Sequence, residues 1–530
     1  MNDDLTGARD EERAVRDTYD RVPYPSALQL HTHPDHLAAL AILNGLDPAP
    51  PQRCRVLELG CADGGNLIPM AADYPESHFL GIDLSPRQIE SGKASVIEAA
   101  LTNIELRALS ILDFDESSGP FDYILCHGVF SWVTPDVQEK IFEICRAHLA
   151  PNGVAYISYN TYPGWHLREV VRDMVVFHTR HVTDPEERTA RAFELVQFLA
   201  ETSAGGDAHA LVMRTAREHF EEFRQRPTYL AHEYLERTNT PTYFHEFAAR
   251  AAQHGLQYMS EAEPSAMEAD NLAPAVAERL HGFTSDRIEL EQYVDFAVNR
   301  MFRRTLLCNA GIRVDREATA EKMRRLYIAS AVKPVSDSPQ ARGEGSEGFR
   351  TERGTPFSSN HPLAKAALIA LSAAWPQAIG FDALCSNIGG LLDGPPPDDA
   401  ALTDLLSSLH TSGVITLHAL PPNCTRDVSE YPRVSTLARQ QASAGLLVTN
   451  QHRRVIKLDD PFVRFLVQHL DGKRNHGDLV RLLDAEVTAG RLDVRTDGKQ
   501  IREPHRIPAV LQALVEHHLR QMSEYALLVG

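Results

Sequence analysis

Residues 55–66 read RVLELGCADGGN. Val56, Leu57 and Leu59 make a short apolar strand, which breaks into a turn holding Gly60, Gly64 and Gly65, and a helix opens from about Gly64. A second apolar strand, 78–84, carries Asp83 near its end, about 20 residues beyond the turn. Strand, glycine-rich turn and acidic strand end together form the nucleoside-binding half of a Rossmann-like sheet. The spacing is not the G-x-G-x-x-G of a pyrophosphate site, because Ala62 stands between the glycines and Glu58 lies inside the motif. A carboxylate crowds phosphates but suits a cationic ligand with a ribose. S-adenosylmethionine is both, so methyl transfer leads. The plain alternative is a tight turn in an ordinary α/β core.

Ahead of this stretch, residues 1–54 read as a helical cap interrupted at 22–26 by two prolines and again at His31-Thr-His-Pro34. Segments before the first strand of such folds often cross the cofactor mouth, which makes Tyr19, Tyr24, His31 and His33 candidates to line the site. Turn chemistry around Pro25 and Pro34 explains the same residues without function. After it, strands are expected at 104–109, 121–129 and 153–159. The helix after strand two opens at Ser85 with Pro86 in its first position and a capping-box spacing to Gln88. Five β–α repeats imply a parallel sheet with right-handed crossovers over 55–164, the core that binds S-adenosylmethionine.

From Trp165 to about residue 240 only helical periodicity is found, so 165–240 is read as a helical insertion serving as a lid, a dimer surface or both. Thr240-Pro241 then opens a helix ending at Gly255, a sixth strand follows, and 303–308 reads as a seventh, so that 241–312 completes the sheet. The expected fold class is α/β: a seven-stranded Rossmann-like sheet with a helical insertion, followed by C-terminal α+β winged-helix-like modules. Residues 313–360 read as a helix and an exposed Ser/Gly/Pro-rich linker with room for a hairpin. Residues 361–425 read as a winged-helix-like module and 426–530 as a second module. The helix at 398–409 of the first contains three aspartates and no Lys or Arg, a surface that repels phosphate.

The 530 residues exceed one core and carry a formal charge of −19, which disfavours nucleic acid as the main partner. Seven scattered cysteines without C-x-x-C indicate neither a disulfide framework nor a zinc ribbon. The charged N-terminal stretch is no signal peptide, and no run is long and apolar enough for a membrane span. A cytoplasmic protein with no membrane insertion is expected. The pairs His232-Glu233 and His245-Glu246 lack H-E-x-x-H spacing, so no metal is expected.

Each candidate contact follows from the cofactor. Asp83, with Leu84 behind it, is expected to take the ribose diol. Glu58 and Asn66 are expected near the methionine side or the turn. Gly60, Cys61, Ala62 and Gly64 let the backbone approach the ligand. Ser110, Ile111 and Asp113 are expected to edge the adenine. Strand four ends in Cys126-His127, facing the transferring methyl, with Trp132 just beyond; His127 reads equally as structural or catalytic. Strand five runs into Ser158-Tyr-Asn-Thr-Tyr-Pro-Gly-Trp165. Aromatic walls with oxygen acceptors there would desolvate and orient an amine. Tyr159, Asn160 and Tyr162 are the catalytic candidates, and Trp165 a substrate-lining one.

With these residues in hand, the chain resembles the bacterial class I methyltransferases with a methyltransferase regulatory domain. That family includes the protein lysine methyltransferases acting on rickettsial outer membrane protein B. The resemblance rests on RVLELGCADGGNLIPMA, GIDLSPRQIESGK, FDYILCHGVFSWV, LAPNGVAYISYNTYPGWHLR and YFHEFAARAAQHGLQY. It implies a protein lysine N-methyltransferase using S-adenosylmethionine on an unfolded or surface protein, and it is compatible with a homodimer. Methylation of a small molecule and a non-catalytic S-adenosylmethionine-binding regulator or scaffold are the alternatives.

Overall fold

The structure, a computed structural model, describes residues 16, 20–21, 26–115, 119–203, 205–224, 226–267, 269–493, 495–496, 499–500 and 507–530. It divides into two compact units, Met1–Asp315 and Arg316–Gly530.

In the first unit α1 (Pro34–Leu43) precedes β1 (Arg55–Leu59), α2 (Leu67–Asp73), β2 (His78–Asp83), α3 (Pro86–Glu98), β3 (Ile104–Ala108) and β4 (Phe121–Cys126). α4 (Pro135–His148) and β5 (Leu149–Asn160) follow. The Ser85 side chain caps α3 by accepting from the Gln88 N–H at 3.1 Å, with Pro86 in the first position. The insertion consists of α5 (Gly164–Thr179), α6 (Pro185–Thr202), α7 (Ala208–Glu222) and α8 (Pro227–Leu235), two helices more than its apolar spacing reveals. They share a core of Val171, Val175, Val196, Met213, Phe220 and Tyr234. The chain returns through α9 (Phe244–Gln253), β6 (Leu256–Glu261), α10 (Pro274–Phe283), α11 (Arg287–Val298) and β7 (Phe302–Asn309).

The strands form one seven-stranded sheet in the order β3-β2-β1-β4-β5-β7-β6. β1 to β5 pair in parallel, and β7 lies antiparallel to both β5 and β6. The strand order reverses between β1 and β4, and open α/β sheets bind ligands at the carboxyl ends beside such a reversal. Alternation along each strand sorts the side chains between two faces. Leu57, Leu59, Ile124, Cys126, Ile157 and Tyr159 share a core with Ile141 and Phe142 of α4 and Phe247 of α9. β4 stops at Cys126, short of the expected 129, because Gly128 turns the chain with φ +67°.

In the second unit, residues 333–360 hold the hairpin for which the sequence left room, within an ordered sheet rather than a free linker. β9 (Lys333–Pro334), β10 (Glu347–Arg350) and β11 (Pro356–Ser359) form an antiparallel sheet, with β8 (Tyr327–Ala329) ahead of it in the chain. Phe349 is fully buried and packs with Leu368 of the following helix, Pro362–Ala374. Lys365 of that helix is buried, and its Nζ donates to the carbonyls of Gly343 and Gly345, both at 2.8 Å, and of Arg342 at 3.3 Å. One ammonium thus closes a Ser/Gly-rich loop whose composition reads as flexible. β8 lies between Ile379–Gly380 and Thr416–His418, with helices Phe381–Leu392 and Asp399–Thr411 between those two strands. Asp398 caps the latter helix, its Oδ2 accepting from Ala400 and Ala401 N–H. The last module packs helices Thr436–Ala444, Pro461–His469, His476–Thr488 and Ile507–Glu524 around Leu466, Leu483, Leu511 and Leu519.

Candidate active site

A cavity of about 470 Å³ opens at the carboxyl ends of β1, β2, β4 and β5. On one side lie Gly60, Ala62, Asp83, Leu84 and Ile111; on the other lie His127, Trp132, Asn160 and Trp165. Nine of the sequence candidates therefore share one cavity.

The turn after β1 explains its own composition. Gly60 has φ +76°, and a Cβ there would lie 2.4 Å from Val129 Cγ2. Ala62 also takes a left-handed φ of 50°, which costs an L-residue about 1 kcal/mol. Its N–H donates to Asp83 Oδ2 at 2.8 Å, while Asp83 Oδ1 accepts from the Ser85 N–H at 2.9 Å. Two backbone donors thus hold the carboxylate at the cavity wall, where the outer lone pairs of both oxygens suit a diol. Burial raises Asp83 above the usual carboxylate range, and the Ser85 and Ala62 N–H groups oppose the rise.

Behind the turn lies Glu58, 3% exposed. Its Oε1 accepts from Asn66 Nδ2 at 2.8 Å, and Asn66 Oδ1 accepts from the Gln29 N–H at 2.9 Å. Ser26 lies over the same turn, its Oγ accepting from the Gly65 N–H at 2.8 Å. The segment before β1 thus crosses the glycine turn, and Gln29 reaches the cavity. Glu58 Oε2 is buried without a partner among the described residues. Burial pushes Glu58 up to about 7, against the Asn66 hydrogen bond and with the Asp83 charge adding. Glu58 is absent from the cavity lining, so this acidic oxygen lies behind the glycine turn rather than on the wall.

That folded value lies above the unfolded one, so the folded state keeps its proton longer and stability is lost as pH rises from about 4.5 through 7. Glu58→Gln removes this penalty. The unliganded variant is expected to exceed wild type by about 2 kcal/mol at pH 8 and to match it near pH 4.5. Thermal denaturation across that range checks the difference.

His127 stands at the end of β4, its Nδ1 2.9 Å from Tyr156 Oη and 3.3 Å from Ser158 Oγ. Burial and the Arg304 charge lower it to about 4, so the ring is neutral near pH 7. Asn160 donates from Nδ2 to Asn239 Oδ1 at 2.9 Å, and its own N–H donates to Ser131 Oγ. Trp132 and Trp165 meet edge to face with centroids 6.0 Å apart. Beyond them the insertion contributes Arg168, Tyr229 and Glu233 to the wall.

Several expectations need correction. Tyr159 does not reach the cavity. It is 1% exposed, stacks on Phe247 at 4.1 Å and bonds to Thr305 Oγ1. Successive residues of a strand face opposite ways, so Asn160 in the cavity places Tyr159 in the core. Tyr162 also lies outside the lining, donating from Oη to Glu169 at 2.7 Å and stacking on His166. Ser110 spends its hydroxyl accepting from the Leu112 N–H, and Asp113 is exposed; only Ile111 of that trio reaches the cavity. Cys61 and Cys126, read as approaching the ligand through their backbone, have buried side chains, and neither they nor Gly64 and Asn66 belong to the lining. His31 is absent from the lining, with Nδ1 buried and unbonded among the described residues. Tyr19 and Tyr24 lie outside the described residues. Among the described residues no group of three or more His, Cys, Asp or Glu side chains is placed to hold a metal ion.

The cavity also contains Arg304, Met301 and Phe302 of the β7 region. No motif announces them. They arrive because β7 runs antiparallel beside β5, pairing Arg304 with Ser158.

A seven-stranded sheet with one antiparallel strand, a glycine turn, and an acid at the end of β2 define a class I methyltransferase fold. Three family profiles match: "Methyltransferase domain" at 57–155, "Predicted methyltransferase regulatory domain" at 226–309, and "PKMT, C-terminal winged helix domain" at 430–527. An uncharacterized protein of Rickettsia prowazekii (strain Madrid E) is 33% identical, over 97% of this chain and 94% of its own. A second protein from that organism is 42% identical over 235 residues, 44% of this chain and 93% of its own. The solved structure of PKMT2 from Rickettsia typhi in complex with AdoHcy has a TM-score of 0.84 and 30% identity, over 96% of this chain and 100% of that one. The chain belongs to the S-adenosylmethionine-dependent methyltransferases that join a methyltransferase domain to a regulatory domain and a PKMT winged helix. Among the described residues no helix is long and apolar enough to cross a membrane.

Proposed function

We propose that the protein methylates lysine side chains of a protein acceptor. The observation that carries this reading is the full-length likeness to PKMT2, which includes the insertion and the C-terminal modules as well as the cofactor half. S-adenosylmethionine, when bound, supplies a methyl already activated on a sulfonium. Asp83 is assigned to the ribose hydroxyls and the apolar wall of Leu84, Leu109, Ile111 and Val133 to the base; Glu58, held by Asn66 behind the turn, is assigned to orient that turn.

The remaining work falls to the acceptor side. A lysine is mostly charged at neutral pH, and its lone pair must be free to react. The walls formed by half-buried Trp132 and buried Trp165 exclude water, which disfavours the charged amine. The Asn160 amide, fixed by Asn239, offers its carbonyl oxygen to a remaining amine N–H. Holding the amine in line accounts for most of the rate gain such a site can provide. His127 is neutral and tied to Tyr156, a support for the wall rather than an acid.

The test offers methyl-tritiated S-adenosylmethionine to cell protein, to the same protein after lysine acetylation, and to small-molecule extract. Label is expected in the first alone. Equal label after acetylation would reject lysine, and label only in the extract would favour a small-molecule methyltransferase.

A further inference from the structure

Met301 lines the cavity and is 39% exposed, and beside it begins a row of rings that cofactor binding does not use. The Met301 carbonyl accepts from the Thr161 N–H at 3.0 Å, which places it against the chain leading to Tyr162. The Tyr162 ring lies 5.2 Å from Tyr243, and Tyr243 lies 6.0 Å from Phe296. Phe296 is 6.2 Å from Tyr293 on the same helix, α11, and Tyr293 is 5.4 Å from Phe283 at the end of α10. Phe283 is 58% exposed, Phe296 48% and Tyr293 36%. Scattered exposed apolar residues are ordinary, but a contiguous row leading to a cavity marks an interaction surface. Two carboxylates border it. Glu169 accepts from Tyr162 Oη, and the exposed Glu246 caps α9 by accepting from the Tyr243 N–H at 3.3 Å.

We propose that this row is the track on which an extended segment of the acceptor protein lies, apolar side chains on the rings and its lysine directed past Met301 into the cavity. The inference rests on the protein-lysine reading above and gives the regulatory region a defined task. Continuity with the cavity selects the occupant. A chain seated on the rings places its side chains at the mouth that Asn160 and Met301 line, whereas a second folded copy on the same surface would cover that mouth. The acidic border suits a lysine-bearing segment, and backbone groups of an extended chain remain open to water.

The test compares wild type with the triple variant Phe283→Ser, Tyr293→Ser and Phe296→Ser, and with Phe296→Arg alone in case the triple variant melts early. The probe is urea-unfolded bacterial cell protein with methyl-tritiated S-adenosylmethionine, assayed after dilution of the urea. The half-saturating protein concentration is expected to rise at least tenfold in either variant. The rate at saturation should stay within twofold, and the dissociation constant for S-adenosylhomocysteine should not change. Unchanged half-saturation would overturn the track. So would a wild-type dimer in sedimentation that the variants split, which would give the row to a second copy. Wild type that labels no lysine removes the lysine reading and the track with it; wild type that labels lysine no better than the variants removes the track alone.

Discussion

Asp83→Ala is expected to raise the dissociation constant for S-adenosylmethionine at least a hundredfold, measured by calorimetry. A hydrogen bond to an ionised group is worth about 1.5–3 kcal/mol, and a ribose diol makes two with the carboxylate. Every 1.4 kcal/mol is about a factor of ten in affinity. The carboxylate also accepts from Ala62 N–H, so its removal frees a turn held in a left-handed conformation. Both effects weaken binding. Asp83→Asn keeps the size and one acceptor oxygen, so a loss nearer tenfold is expected. Equal affinity of Asp83→Ala and wild type would reject the ribose assignment.

The largest stability effect is expected outside the cavity lining, at Arg303. This residue is 1% exposed and lies 3.6 Å over the Phe244 ring. Its guanidinium donates to Asp295 at 2.8 and 3.0 Å, to Glu261 at 2.9 Å and to Glu291 at 3.1 Å. Removing one partner of a buried ion pair costs about 3–5 kcal/mol, because the other charges stay buried. Arg303→Leu takes the guanidinium from three buried carboxylates and is expected to cost at least that, read as a fall in denaturation midpoint. Flanking Arg287 and Arg300 contact Glu291 and Asp295 and soften the loss without abolishing it. Burial already raises Glu291 above the usual carboxylate range and the Arg303 charge opposes that rise, so in the variant Glu291 rises further. The variant's deficit should therefore grow as pH rises through the carboxylate range and shrink at pH 5. Arg303→Lys should rescue little, since a single ammonium cannot replace the planar fork. A loss under about 1 kcal/mol would contradict this account of the cluster.

The cluster connects stability to function through β7. Arg303 ties that strand to β6 and α11, and the next residue, Arg304, reaches the cavity beside His127. Loosening the ion cluster therefore disturbs the Arg304 side of the cavity.

What the chain discloses in advance follows its periodicities. The first five strands read clearly because each is an apolar run bounded by glycine, proline or a helix cap, and Gly60 and Asp83 follow from them. Tyr159 and Asn160 were candidates together, yet a period of two separates them. Strand parity, applied residue by residue, would have kept one and released the other to the core. Arg304 and Met301 carry no local signal, because an antiparallel seventh strand brings them in from far along the chain. The segment 333–360 misleads through composition. Its Ser and Gly residues form a loop held by Lys365, whose three carbonyl partners no pattern foretells. Ser110 is expected at the adenine edge, but its hydroxyl serves the turn it begins.

The most direct measurement uses S-adenosylmethionine carrying a trideuterated methyl group, unfolded cell protein as acceptor, and peptide mass spectrometry after digestion. The account predicts trideuteromethyl groups on lysine side chains, lost with Asp83→Ala. Deuterium on other side chains, or in small molecules while lysines stay unmodified, would contradict it.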